Sequence, residues 1–320
     1  MRLASFMATL ALLLAPLTVQ AQTTTKLWRI GILEPYAADD PINDQIRQYL
    51  RELGYSEGRN IAIEWRHGAG QTIGFPALAA DLASRKLDAI VAIGEPAIRA
   101  AREATTTIPI IGGSDDLVGE GHVASLRRPG GNVTGVSILA SELNAKRLEL
   151  LKQAVPGASR VAVLWDPATG KFHLPLIQAV ARTQAIELNL QEVRRAEDLQ
   201  RAFEAARAWR ADAVNVLASP LLHALRQPII DLAKRNRLPA IYQWEESARA
   251  GGLMSYGPIR EDVYRAICVQ LDRVLKGANP AELPIVQPTK FEIVINLETA
   301  QALGLTIPRS LLLQADKVIK

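Results

Sequence analysis

Acidic and aromatic residues stand directly after several short apolar runs of this sequence. Residues 29–33 are followed by Glu34-Pro35-Tyr36, and residues 89–93 by Gly94-Glu95-Pro96. Carboxylates attract cations, and aromatic rings pack on planar, apolar or cationic groups. A dinucleotide site at the first position would show a glycine-rich loop instead, because a carboxylate repels a pyrophosphate and proline has no N–H to offer it. These residues therefore indicate a different kind of ligand.

The same residue types recur after the later apolar runs, in Gly113-Ser114-Asp115, Trp165-Asp166, Ala218-Ser219-Pro220, Gln243-Trp244-Glu245 and Ser255-Tyr256. Ligands of open α/β sheets bind outside the carboxyl ends of the strands, so these loops are candidates for one site. The predicted ligand-binding residues are Glu34, Tyr36, Gly94, Glu95, Ser114, Asp115, Trp165, Asp166, Ser219, Trp244, Glu245 and Tyr256. Helices that begin near Pro96 and Pro220 could also offer N–H groups to a carboxylate. The alternative for each residue is a loop cap or a packing aromatic.

Several enzyme signatures fail on inspection. Residues 119–124 fit G-x-G-x-x-A, but they follow their strand late and include Glu120. Residues 168–171 resemble the end of a phosphate loop but lack the leading glycine, and Phe172 stands where Mg²⁺ needs a hydroxyl. The four histidines lack zinc-ligand spacing, and no G-x-S-x-G occurs. We therefore predict a protein that is not an enzyme and has no catalytic residue, metal or cofactor. A hydrolase stays an alternative, since distant residues can form a triad.

Short β-rich runs alternate with amphipathic helical ones, which predicts parallel sheets covered by helices on both faces. Strands are predicted at 29–33, 61–66, 89–93, 108–111, 160–165, 187–192, 213–217, 240–242 and 291–296. Helices are predicted at 42–53, 74–84, 96–104, 141–155, 174–185, 196–210, 222–237, 258–277 and 297–303. The alternation forms two series of four strands, at 28–135 and 137–255. The fold class is therefore α/β with two Rossmann-like lobes.

The N-terminus predicts export. Residues 1–21 carry one basic residue, an apolar stretch and small residues before a cleavage point after Ala21, which is typical of a signal peptide. The apolar run is too short for a membrane span, so we expect no stable anchor and a periplasmic location. The net charge of +4 comes without a concentrated basic patch, which argues against a nucleic-acid partner. Cys268, the single cysteine, fits a buried helix position, and we expect a monomer.

The sequence resembles a bacterial family of ABC-transporter substrate-binding proteins with the type I periplasmic binding fold, whose relatives include binders of tryptophan and other aromatic amino acids. The resemblance is carried in order by residues 51–66 (RELGYSEGRNIAIEWR), 104–111, 123–137 (VASLRRPGGNVTGVS), 146–167, 238–257 and 288–308. It implies a small-molecule solute held between two lobes, and a partner ABC permease with its ATPase. A sensor module for a membrane receptor is the alternative.

The resemblance also implies three segments that cross between the lobes. We place them near 133–137, 255–259 and 285–291, with Gly131, Gly135 and Gly257 as hinge glycines. The N-terminal lobe would comprise 28–135 and about 259–285, and the C-terminal lobe 137–255 and about 288–320.

One difference from the family's usual sequence bears on the chemistry of the solute. Glu95 stands where family members often have threonine or serine, so an acceptor replaces a hydroxyl donor. The candidate loops hold six acids and no obvious lysine or arginine. We therefore predict a solute with an amine, held by Glu95 or Asp115; the alternative is that the acids cap helices and face water.

Overall fold

The computed structural model describes residues 26–68 and 73–320. The strands of two sheets are, in chain order, β1 (Trp28–Glu34), β2 (Ile61–His67), β3 (Ala89–Ile93), β4 (Ile110–Ser114), β5 (Val133–Ser137), β6 (Arg160–Trp165), β7 (Glu187–Glu192), β8 (Ala213–Val216), β9 (Ala240–Tyr242), β10 (Met254–Pro258), β11 (Phe291–Asn296) and β12 (Lys317–Ile319). The predicted signal peptide, residues 1–21, lies outside the described residues.

The helices pack on both faces of these sheets, with one hydrophobic cluster on each face. They are α1 (Pro41–Glu52), α2 (Phe75–Ala83), α3 (Glu95–Ala104), α4 (Ala140–Ala154), α5 (Leu174–Thr183), α6 (Asp198–Ala208), α7 (Pro220–Ala224), α8 (Arg226–Arg235), α9 (Glu245–Arg249), α10 (Arg260–Leu275), α11 (Leu297–Ala302) and α12 (Arg309–Leu312).

The first sheet has the order β2-β1-β3-β4-β5, and all its strands are parallel. Helix α10 packs on this sheet although it follows the whole second series of strands, and the hydroxyl of Tyr55 donates to Asp272 on α10 at 2.9 Å. We call this sheet, with α1, α2, α3 and α10, the N lobe. The chain thus returns to the N lobe through α10 after it has formed most of the strands of the second sheet.

The second sheet, in the order β12-β11-β10-β9-β8-β6-β7, forms with the remaining helices what we call the C lobe. Its strands are parallel except that β10 and β11 are antiparallel. The cause is the excursion through α10. Strand β10 ends where the chain leaves for the N lobe, and the chain re-enters at that same end, so β11 must run the opposite way.

The α/β architecture predicted from the sequence is confirmed, and most elements agree within a few residues. The prediction of one helix over 222–237 was wrong, because α7 ends at Ala224 and α8 begins at Arg226. Pro228 has no N–H to donate to the carbonyl of Ala224, which interrupts a continuous helix there. The segment at 133–137, predicted as a crossing, is strand β5, and the one predicted at 255–259 lies on β10 except for its last residue.

Two of the predicted hinge glycines are required by close backbone contacts. A Cβ on Gly135, whose φ is +141°, would lie 1.9 Å from the carbonyl oxygen of Gly112, and one on Gly257 would lie 2.2 Å from that of Gln243. Gly131 lies in the loop before β5. The chain passes between the sheets at 138–139, at 259 and over 287–290. The hinge function of these glycines and the lobe boundaries stay predictions.

Candidate functional site

A cavity lies between the two lobes, at the carboxyl ends of β1, β3, β4, β8 and β9. It contains about 490 Å³ of space not filled by protein atoms, counting its open side. The parallel strands bring residues that are distant in the sequence to this one place, as the general rule for α/β sheets requires.

Three aromatic side chains form much of the cavity wall. Tyr36 follows β1, Trp244 follows β9, and Tyr264 lies in the first turns of α10. The hydroxyl of Tyr264 donates to that of Tyr36 at 3.0 Å, and Trp244 from the C lobe packs in the same apolar cluster as both tyrosines. Flat apolar surfaces contributed by both lobes suit a planar ligand.

Asp115 and Gln243 are the polar side chains on the wall that keep free hydrogen-bonding capacity. Each is only 8% exposed, and neither side chain makes a hydrogen bond to any residue in the described ranges. Polar groups buried this deeply are normally paired. Asp115 belongs to the N lobe and Gln243 to the C lobe, so a ligand that bonds to both would join the lobes.

Two serines also line the cavity, but their hydroxyl protons point away from it. Ser114 Oγ donates to the carboxylate of Glu120 at 2.6 Å, and Ser219 Oγ donates to Asp166 at 2.8 Å. Ser219 Oγ also accepts from the N–H of Leu222 at 3.3 Å, so it keeps one free lone pair. A ligand group that meets them must be a donor.

Burial controls the protonation of this region. It raises the pKa of Asp115 to about 7, against the opposing effect of the Arg147 guanidinium, and it raises the pKa of Glu120 to about 8. His173, whose Nε2 lies 3.7 Å from Asp115, has its pKa lowered by burial to about 3 and is neutral at pH 7. A cationic ligand would restore the charged form of Asp115.

At the edge of the cavity an ion pair joins the lobes. Arg260, the first residue of α10, donates to Glu246 of α9 at 3.0 Å. Its guanidinium also lies 5.1 Å from the ring centre of Tyr36 and 5.4 Å from that of Tyr264. The lobes are thus held together by charge outside the cavity and by apolar contact within it.

Half of the twelve residues predicted from the sequence line the cavity: Tyr36, Gly94, Ser114, Asp115, Ser219 and Trp244. Two more lie behind this wall. Asp166 caps a short 3₁₀ helix and accepts the proton of Ser219, and Glu95 accepts from Arg99 at 2.9 Å. The prediction that Glu95 itself holds the solute has no direct contact to support it.

The other four predicted residues lie elsewhere. Glu34 is fully buried and its Oε1 lies 2.9 Å from Nδ1 of His67 on β2, while Trp165 packs in the C-lobe core. Glu245 pairs with Arg249 and Lys317. Tyr256 packs against Phe291, with its ring centre 6.3 Å away. Glu34 is the last residue of β1, whereas Tyr36 lies in the loop beyond that strand, so the two side chains do not share a surface.

The sequence did not reveal the contribution of α10. Val263, Tyr264 and Ile267 line the cavity, and their helical spacing is also the ordinary spacing of a core-facing stripe. Arg147, fully buried on α4, was missed as the cation beside Asp115. The prediction that the candidate loops themselves hold no obvious lysine or arginine is not contradicted, since this guanidinium comes from a helix.

Comparison with known proteins agrees with this arrangement. The family described as ABC transporter substrate binding protein matches residues 32–319. The chain belongs to this family. A tyrosine-binding protein of Clostridioides difficile is 29% identical over 260 residues, which cover 80% of this chain and 74% of that protein.

Two solved structures extend the likeness over the whole fold, and both cover 92% of this substrate-binding protein at 26% identity. One, from Streptococcus pneumoniae in complex with L-Trp, has a TM-score of 0.85 and is covered completely. The other, from Vibrio cholerae, has a TM-score of 0.81 and is 99% covered. The type I periplasmic binding fold is thereby established. In the described part of the chain no helix has the length and apolarity to cross a membrane.

Proposed function

We propose that this substrate-binding protein captures a small organic solute that combines an aromatic body with an ammonium group. The observation that carries the proposal is the cavity wall, where Asp115 has no hydrogen-bond partner among the described residues and stands beside the faces of Tyr36, Trp244 and Tyr264. An ammonium group would pair with the carboxylate, and the aromatic body would pack on the rings.

The relatives support the aromatic part of this proposal. One carries the name of a tyrosine-binding protein, and another was solved with L-Trp. Both amino acids have an aromatic body and an ammonium group. Most of the affinity would come from burying the ring between the lobes, at about 25 cal/mol for each Å² of apolar surface removed from water.

We further propose that the protein acts in the periplasm after its signal peptide is removed, and that it delivers the solute to an ABC permease and its ATPase. The family assignment supports this role. Deleting the gene should abolish uptake of the labelled solute, and a copy with Asp115→Asn should not restore it. Unchanged uptake in the deletion strain would contradict the delivery role.

The binding proposal is tested by thermal unfolding with a panel of compounds. Aromatic amines and aromatic amino acids should raise the melting temperature, because a ligand at about 100 times its Kd adds about 2.7 kcal/mol of stability. Aliphatic amines and aromatic acids without an amine should not. If the strongest stabilisers are anions that lack an amine, the proposal is wrong.

A further inference from the structure

The walls of the cavity contain a carboxylate but no cation. We propose that the solute is an aromatic amine that carries an ammonium group and no carboxylate group. The inference rests on the proposed function and narrows its solute class, since aromatic amino acids have both groups.

No lysine or arginine among the described residues lines the cavity. Arg147 is fully buried, and its guanidinium is held by the carbonyl of Tyr256 at 2.8 Å and by the side chain of Asn144. Arg260 lines an adjoining groove and pairs with Glu246. A carboxylate of the solute would therefore be buried without an opposite charge, which is costly.

The hydroxyls of the wall are unsuited to a carboxylate as well. Ser114 and Ser219 both donate their protons to carboxylates of the protein, Glu120 and Asp166. Their free lone pairs, together with the carboxylate of Asp115, offer three acceptors. An ammonium group has three N–H donors, so it can satisfy all three.

The N-terminus of helix α3, which follows the cavity wall, is also occupied by a negative group of the chain. Helix α3 begins directly after Gly94 of the cavity wall, and such ends attract anions. Here its first residue is Glu95, whose Oε2 is buried without a partner in the described part of the chain. Arg99 pairs with the other oxygen of Glu95 at 2.9 Å, and the Asp166 carboxylate from the opposite lobe leaves these three groups with a net negative charge when all are ionised. A second carboxylate brought by the solute would be repelled.

The neutral donors that remain can serve the ring of the solute. The amide of Gln243 lines the cavity beside Trp244 and is free to bond to a ring substituent. An aromatic amine would thus have its ammonium group between Asp115 of the N lobe and Ser219 of the C lobe, and its ring against Trp244 and the two tyrosines. Every free polar group of the wall would then have a partner.

Titration calorimetry of the dialysed wild-type protein at pH 7.5 tests the inference with matched pairs of ligands. Tyramine is compared with L-tyrosine, tryptamine with L-tryptophan, and tyrosine methyl ester serves as a third ligand that keeps the bulk of the α-substituent without its charge. We expect the amines and the ester to bind at least about tenfold more tightly than the amino acids, because the buried carboxylate is uncompensated.

The variant Glu95→Gln should narrow the difference in affinity between the amines and the amino acids. It removes a negative charge close to where the carboxylate of an amino acid would lie. Glu204→Gln, on the exposed face of α6, is the matched control and should leave the difference unchanged. If Glu95→Gln does not fold, the ester in the wild-type protein still separates charge from bulk.

The outcomes distinguish the two proposals. Amino acids that bind as tightly as the amines, or more tightly, overturn the inference and leave the proposed function standing. If neither amines nor amino acids bind, the proposed solute class is wrong, and the inference falls with it.

Discussion

Asp115 is the residue on which the proposed recognition of the solute depends most. It is nine-tenths buried, lines the cavity, and has no hydrogen-bond partner in the described ranges. A hydrogen bond to a charged group is worth about 1.5–3 kcal/mol, so Asp115→Asn should weaken the binding of an aromatic amine roughly 10- to 100-fold. Titration calorimetry measures the change, with Glu204→Gln as control. Equal affinities for wild type and Asp115→Asn would show that the carboxylate does not hold the amine.

Buried carboxyl groups should make the stability of the ligand-free protein depend on pH. Burial raises the pKa of Glu34 and Glu120 to about 8, and of Glu95 and Asp115 to about 7. A raised pKa means that the folded state binds the proton more tightly, so the free energy of unfolding falls as pH rises toward these values. Burial lowers the pKa values of the four histidines, so they make the free energy of unfolding rise with pH. They do so only below pH 6.5, the ordinary pKa of histidine.

The melting temperature should therefore fall from about pH 6.5 to about pH 8. Over this range each group lowers the free energy of unfolding by up to about 1.4 kcal/mol per pH unit. Glu120→Gln should flatten the decline, since glutamine does not titrate and still accepts from Ser114. Thermal unfolding across this pH range measures how steeply the melting temperature falls in the wild type and in Glu120→Gln. A melting temperature that rises with pH over the same interval would contradict the assignment of these groups.

At the scale of elements, the contact between α3 and α7 controls how closely the lobes approach. A Cβ on Gly94, just before α3, would lie 2.7 Å from the ring of Pro220 at the start of α7. Gly94→Ala should therefore hold the lobes apart and weaken solute binding. Gly54→Ala is the matched control, because Gly54 has a similar φ of +92°, against +87°, but no atom within 4 Å.

Both variants should lose fold stability through backbone strain, about 1–3 kcal/mol and more at Gly94, whose ψ of 153° at positive φ suits glycine alone, while only Gly94→Ala loses affinity. Calorimetry and thermal unfolding together separate the two effects. If both variants bind the solute as well as the wild type does, Gly94 is not a contact that closure requires.

The elements also show what the sequence could predict. Alternating strands and helices indicated the two sheets, and because strand ends carry ligand loops, Tyr36, Asp115 and Trp244 could be placed in one site. Periodicity cannot say which lobe a helix joins, so the wall formed by α10 was missed. Likewise, local sequence could not separate Glu34 from Tyr36 in function, because it does not show that Glu34 meets His67 of β2 while the loop after β1 brings Tyr36 to the cavity.

At the scale of the whole molecule, the lobes touch around the cavity. Trp244 and Ala218 of the C lobe belong to the same apolar cluster as Tyr36 and Ile267 of the N lobe, and Arg260 pairs with Glu246 across the interface. Three segments connect the lobes, which favours rigid hinge motion over local rearrangement. We propose that the closed arrangement buries the solute and that opening the lobes releases it.

Small-angle X-ray scattering during titration of ligand-stripped protein tests this central claim most directly. The probe is whichever of tyramine, tryptamine, L-tyrosine or L-tryptophan binds most tightly by calorimetry. The radius of gyration should fall as the probe saturates the wild-type protein, and at the same probe concentration Asp115→Asn should keep the larger radius. A probe that binds a protein shown to start open, yet leaves its radius unchanged at saturation, would contradict capture between closing lobes.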